Sequence, residues 1–163
     1  KKYNAKATFF CIGKNIKNYP EIFSEIISDG HSIGNHTQNH LKGWETKTEN
    51  YIDNVLECGK TITKFNKLTI KQQLFRPPYG KIKKTQAKEI LNKGYKIIMW
   101  DVLSADFDTT ISKERCLQNV INNTKEGSII VFHDSVKAAK KVKYALPKVL
   151  KAFSDKGFVF KGI

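Results

Sequence analysis

Three of the chain's four histidines, His31, His36 and His40, fall within ten residues. His36 and His40 are four apart. On a helical backbone both imidazoles would leave one face and could meet a single ion. Neutral imidazole is the commonest protein ligand for zinc-like metals. The plain alternative is a polar loop whose histidines only form hydrogen bonds, and one H-x-x-x-H does not decide between the two. His31 precedes a short apolar stretch and is expected to bind backbone. Three downstream stretches add chemistry-bearing residues: Phe75-Arg76-Pro77-Pro78-Tyr79-Gly80, Trp100-Asp101-Val102-Leu103-Ser104-Ala105-Asp106-Phe107, and Ile130-Val131-Phe132-His133-Asp134.

The elements that must position these residues follow from hydrophobic period and punctuation. Ala5 to Gly13 is a short apolar run closed by glycine, a buried strand. Ile16 to Ser28 carries Ile22, Phe23, Ile26 and Ile27 at helical spacing and stops at Gly30. His31 to Gly34 is a short strand. Tyr51, Ile52, Val55, Leu56, Ile62 and Phe65 mark a long amphipathic helix beginning near Thr48. Leu74 to Arg76 is a strand cut by the diproline. Thr85 to Asn92 is a helix stopped by Gly94, and Lys96 to Trp100 is a strand. A helix starts at Ser112 and runs to about Asn123. Ser128 to Phe132 is a strand, Ala145 to Ser154 a helix, and Phe158 to Phe160 a last strand. This alternation predicts an α/β fold with a largely parallel sheet. His36, His40, Arg76, Asp106 and His133 all follow strands, and parallel α/β folds gather sites at the carboxyl ends of strands. These residues are therefore expected on one rim.

Composition bounds the rest. The 163 residues suit one domain with a sizeable core. No apolar run approaches the roughly 18 residues of a membrane span. The net charge of +14 comes almost wholly from lysine, since Arg76 and Arg115 are the only arginines. Base readout and bidentate phosphate binding favour arginine; a solvated lysine surface is expected, with no nucleic-acid partner. Cys11, Cys58 and Cys116 have neither metal spacing nor an even disulfide count and read as free thiols.

In sequence order, these stretches resemble the motifs of the polysaccharide deacetylases, the NodB-homology domains of carbohydrate esterase family 4 type. Lys6-Ala7-Thr8-Phe9-Phe10 is similar to that family's second-strand signature. His36-Thr37-Gln38-Asn39-His40 matches its H-S/T-x-x-H motif and Arg76-Pro77-Pro78-Tyr79 its R-x-P-Y motif. Ser104-Ala105-Asp106-Phe107 resembles its D-x-x-D-W motif, and Val131-Phe132-His133 its L-x-H motif. The resemblance implies a distorted (β/α) barrel and a divalent metal, zinc first, with cobalt or nickel possible. It also implies removal of acetyl groups from amino-sugar polysaccharide of the peptidoglycan or chitin kind, and an extracytoplasmic, cell-envelope location.

The resemblance carries roles with it. His36 and His40 would hold the metal, which polarises the amide carbonyl and acidifies water. His133 would protonate the leaving nitrogen, and Asp106 would orient its ring. Arg76 would hold the carboxylate of the catalytic base, and the backbone N–H of Tyr79 would serve the oxyanion. Phe107 and Val131 would wall the acetyl-methyl pocket; Phe107 stands where the family has Trp and Val131 where it has Leu, which loosens an apolar wall.

The family's T-F-D-D motif, source of the base and a third metal ligand, does not occur in the 163 residues, and only five residues precede Lys6. Residues 1–163 thus read as a single domain, N-terminally incomplete and lacking the barrel's first strand. A chain starting at Lys1 is expected to have little activity and one extended upstream to be active. Two rival functions share the fold: an esterase that removes O-acetyl groups, and a catalytically inactive carbohydrate-binding module.

Overall fold

The computed structural model describes residues 2–65 and 73–163. The chain divides into two compact units. One comprises Lys6–Ile98 with Gly162–Ile163, and the other Met99–Lys161 with the chain's first residues.

In the first unit four parallel strands pair in the order β1 (Thr8–Cys11), β2 (Ser32–Asn35), β3 (Leu74–Phe75), β4 (Lys96–Ile97). Thr8 pairs with Ser32, Cys11 with Asn35, Asn35 with Phe75 and Leu74 with Lys96. Two helices connect β1 to β2: α1 (Gly13–Asn18) and α2 (Pro20–Ser28). The single helix expected over Ile16 to Ser28 is thus broken at Tyr19. Pro20 has no N–H to donate and its fixed φ suits the first turn, so it opens a new helix. The long helix α3 (Thr48–Phe65) lies as expected. Its Tyr51, Ile52 and Val55 pack with Phe75, Ile90 and Tyr95, while its Cys58 and Ile62 pack with Ile16 and Phe23. Each such full burial stabilises by about 1.5–3 kcal/mol. Helix α4 (Lys84–Asn92) stops at Gly94, whose φ is 82°. The strand expected to continue to Trp100 ends at Ile97.

In the second unit β5 (Val102–Leu103) runs parallel to β6 (Ile130–Val131), with Val102 opposite Ile130 and Leu103 opposite Val131. Strand β5 was not expected; a two-residue strand is too short for alternation to show. Helix α5 (Lys113–Ile121) is capped by Ser112, whose hydroxyl accepts from Arg115 N–H at 3.1 Å. Helix α6 (Ala139–Ser154) starts six residues before the expected Ala145 and keeps Pro147 inside it. Its Val149 and Phe153 pack with Val102 and Val120, a buried face that offsets the proline. Phe158 and Phe160 join this core, but no strand forms at residues 158–160. The fold is α/β with parallel strands, as the sequence predicts. Among the described residues its ladders are one of four strands and one of two.

Candidate active site

In the first unit β2 delivers the chain into the loop that bears His36 and His40. The loop is not helical, so the i,i+4 geometry does not apply. The rings meet nonetheless, 5.0 Å between centroids and edge to face. Two left-handed residues replace the helical turn: Thr37 at φ 64° and His40 at φ 55°. A β-branched residue at positive φ is held there only by its surroundings.

Those surroundings are mostly backbone. Gly13 and Lys14, the first N–H groups of α1, donate to the carbonyls of Thr37 at 3.1 Å and Gln38 at 2.9 Å. From α3, the Asn54 carbonyl accepts from Gln38 N–H at 3.1 Å and its side-chain oxygen accepts from Asn39 N–H at 3.0 Å. Asn35 is buried; its oxygen accepts from Thr37 N–H at 2.9 Å and its amide donates to Val55 O at 2.8 Å. A Cβ at Gly13 would stand 1.9 Å from Gln38 Oε1 and 3.3 Å from Cys58 Cα. Sequence reasoning missed Gly13, Asn35 and Asn54. The visible signal was two asparagines on otherwise apolar faces, each needing a buried partner.

His36 Nδ1 lies 2.7 Å from the carbonyl oxygen of Arg76. A carbonyl only accepts, so Nδ1 carries the hydrogen and the lone pair of neutral His36 is on Nε2. The His40 and Tyr79 rings meet edge to face, 4.7 Å between centroids. The two imidazoles are nitrogen donors of the type zinc accepts, and they number two of the three protein ligands usual at a catalytic zinc. Among the described residues no group of three or more His, Cys, Asp or Glu forms that could hold a metal. His31 is not part of the pair: its Nδ1 accepts from Ala7 N–H at 3.2 Å, as expected.

Arg76 follows β3 and is half-buried. Its Nε donates to Ile98 O at 3.0 Å and its guanidinium lies 4.2 Å from the centroid of the Phe10 ring. Desolvation lowers its pKa to about 10, which marks a cation held where water solvates it poorly. Tyr79 lies in the turn Pro78–Gly80 at φ 59°.

The second unit carries a different device. Asp106 is fully buried after β5, and His133 follows β6, so the parallel pairing brings them side by side. Asp106 Oδ1 lies 2.7 Å from His133 Nδ1, and Oδ2 accepts from the His133 backbone N–H at 2.6 Å. A carboxylate accepts, so Nδ1 carries hydrogen and the lone pair of the neutral ring is on Nε2. Asp106 N–H donates to the buried Ser104 hydroxyl at 3.3 Å, and Ala105 turns the chain at φ 57°. Phe107 lies edge-to-face on His133 at 5.0 Å and Val131 is buried. Asp101 accepts from Ile129 N–H, just before β6, at 2.8 Å. Asp134 is exposed. Cys58 and Cys116 are buried free thiols, and burial pushes the Cys58 thiol up to about 11.

Comparison with known proteins bears on this geometry. The family model described as polysaccharide deacetylase matches residues 1–98. Peptidoglycan-N-acetylglucosamine deacetylase from Bacillus cereus is 31% identical over 161 residues, which are 98% of this chain and 74% of that protein. Chitin deacetylase 2 from Saccharomyces cerevisiae is 33% identical over 140 residues, 82% of this chain and 44% of that one. The chain spans between 28% and 74% of the length of the curated relatives it matches. A crystal structure of the Bc1960 peptidoglycan N-acetylglucosamine deacetylase, in complex with a naphthalenyl N-oxidanyl-benzamide, superposes with a TM-score of 0.91 at 28% identity, covering 99% of this chain and 75% of that one.

Proposed function

This chain belongs to the polysaccharide deacetylase family, and we propose that it is a metal-dependent hydrolase that removes N-acetyl groups from an amino-sugar polysaccharide of the peptidoglycan or chitin kind. The observation that carries this reading is the His36 Nδ1 contact with the Arg76 carbonyl at 2.7 Å. It supports the tautomer whose lone pair is on Nε2, the atom that would ligate an ion next to a second imidazole. His36 and His40 would hold a divalent ion, zinc first and cobalt or nickel as alternatives. When bound, the ion supplies polarisation of the carbonyl and an acidified water.

The chain's own residues supply the rest. Hydrolysis joins a water oxygen to the carbonyl carbon, breaks the C–N bond and releases acetate. The departing nitrogen must take a proton, because an amide anion does not leave. His133 is the general acid: Asp106 fastens its Nδ1–H, so Nε2 holds the proton that the amine receives. Arg76 is a positioning residue for an anionic group, and Tyr79 N–H serves the oxyanion. Phe107 and Val131 wall the methyl group. The base that takes the proton of water is assigned to none of these residues. The reading places the protein outside the cytoplasm, where such polymers lie. Among the described residues no helix is long and apolar enough to cross a membrane.

The test uses the polypeptide its gene encodes, stripped of metal and titrated with zinc, cobalt and nickel. Amine release from N-acetylated oligosaccharides is compared with acetate release from O-acetylated xylan. Metal-restored amine release is expected. Acetate without amine would transfer the reading to the esterase, and neither product with any metal would favour a carbohydrate-binding module.

A further inference from the structure

The turn that carries Asp106 is bent against its residue type. Ala105, between Ser104 and Asp106, has φ 57°. An L side chain keeps that left-handed conformation only where its surroundings impose it. The imposing groups must fix the two peptide planes that flank Ala105.

The plane after Ala105 is held within the turn. Asp106 N–H donates to Ser104 Oγ at 3.3 Å, and Ala105 O accepts from Asp108 N–H at 3.1 Å. Serine turns of this kind are weak by themselves. The plane before Ala105 is held from α5. Its carbonyl, Ser104 O, accepts from the side-chain amide of Asn119 at 3.2 Å. Ser104 is itself fully buried, and its N–H donates to Val131 O at 3.2 Å. Asn119 therefore clamps a residue already tied to β6.

Helix α5 is built to make this contact. Cys116, Asn119 and Val120 follow the i, i+3, i+4 spacing of one helix face. Cys116 and Val120 are fully buried, and Val120 packs with Val102 of β5. A half-buried amide on such a face needs a partner, and Ser104 O is one. Cys116 lies on the other side of the Ser104 hydroxyl. Burial and then the Asp106 charge push its thiol up, so it stays neutral beside the carboxylate. Rotating the Ser104–Ala105 peptide would return Ala105 to negative φ. It would also break the Asn119 bond and swing Asp106, whose oxygens lie 2.7 Å from His133 Nδ1 and 2.6 Å from His133 N.

We propose that Asn119 is a positioning residue for the general acid: by holding the Ser104 carbonyl it keeps Ala105 left-handed, and that aims the Asp106 carboxylate at the His133 ring. The proposal rests on the reading of His133 as the acid. Asn119 touches neither His133 nor substrate and acts through the backbone of the turn.

The test uses the polypeptide its gene encodes, with its histidines labelled with nitrogen-15. Amine release from an N-acetylated oligosaccharide gives kcat and KM. The low-field Nδ1–H resonance of His133, assigned by its absence in His133→Gln, reports the bond to Asp106 without any turnover. Asn119→Ala should lower kcat by about 10- to 100-fold with KM within about twofold, and should move or abolish the resonance. Asn119→Asp keeps the shape but has no N–H to donate, and should lose at least as much. Asn123→Ala removes an amide that donates to Asn119 O at 2.9 Å on the same helix. It should lower the urea midpoint yet leave kcat and the resonance as they were. Ala105→Gly removes the strain that the clamp resists. Asn119→Ala combined with Ala105→Gly should therefore return the resonance, and kcat to within about threefold of Ala105→Gly alone. Loss of mere stability would not be repaired this way. An unchanged resonance in both Asn119 variants overturns the proposal, as does a loss that Ala105→Gly fails to repair or that Asn123→Ala reproduces. If the resonance responds as described while the wild-type chain releases no amine, the positioning stands and the deacetylase reading falls. If the wild type releases amine and Asn119→Ala changes neither rate nor resonance, that reading stands and the positioning falls.

Discussion

Around His36 and His40 the scaffold is backbone: carbonyls of Thr37, Gln38, Asn54 and Arg76 and the first N–H groups of α1 make most of the contacts. Around His133 it is one side chain, Asp106, whose two oxygens hold the ring and the main chain of the same residue. The first arrangement spreads its strain, Thr37 and His40 at positive φ, over many hydrogen bonds. The second concentrates its geometry in a fully buried carboxylate. The pair loop should therefore tolerate loss of single supports, and the dyad should not.

The largest effect should come from the dyad. His133→Ala should lower amine release by about 10²–10⁴-fold, the range for a lost general acid or base, with metal content unchanged. Asp106→Asn should follow closely, since an amide can accept from only one of the two N–H groups and turns its own donors toward the other. That leaves a buried mismatch of about 1–3 kcal/mol, to be seen as a lower unfolding midpoint in urea. Full activity in Asp106→Asn would erase the contrast, because the ring would then be oriented by something else.

Next in size is metal retention. His36→Ala and His40→Ala should each lower zinc affinity by at least about 100-fold, more than the 10–100-fold typical of supporting residues. Asn54→Ala removes the acceptor for Asn39 N–H and should cost about tenfold in affinity and about 1 kcal/mol in stability. Equilibrium dialysis with zinc and urea titration measure both. A loss in Asn54→Ala as large as in His36→Ala would show that the loop is no more redundant than the dyad.

The contrast also explains what the sequence disclosed. The side chains that meet, His36 with His40 and Asp106 with His133, could be singled out because residue types are written in the sequence. The alternation of strands and helices was legible from α3, whose apolar spacing holds over 18 residues. The loop conformation was not: the spacing of His36 and His40 suits a helical turn, and nothing local in Thr37 announces a positive φ. That conformation is imposed by Asn35, two residues before Thr37, and by Asn54 and the start of α1, which are distant in sequence. Strand β5 was hidden by its length, and the strand expected at Phe158 to Phe160 was an apolar run that packs on α6 without a ladder. The break at Pro20 was written in the sequence, but the continuing apolar period of Ile22 to Ile27 outweighed it.

The smallest and sharpest test of backbone support is a pair of glycine substitutions. Gly13 has no need of positive φ; its constraint is space, since a Cβ would stand 1.9 Å from Gln38 Oε1 and 2.7 Å from Gln38 Cδ. That side chain cannot simply swing away, because it is buried and its oxygen accepts from Thr61 Oγ1 at 3.1 Å. Gly13→Ala should therefore cost about 1–3 kcal/mol, the range for overpacking, and shift the backbone between His36 and His40, lowering zinc affinity a few fold. Gly94 presents the opposite case: φ is 82° and nothing lies within 4 Å of a built Cβ. Gly94→Ala should cost a similar 1–2 kcal/mol by backbone strain alone while leaving zinc affinity as it was. With stability matched between the two variants, a difference in zinc affinity isolates the contact from α1 to the loop. Equal zinc affinity in both would mean that the histidine pair keeps its geometry without α1, and that the loop's support lies with Asn35 and Asn54 instead.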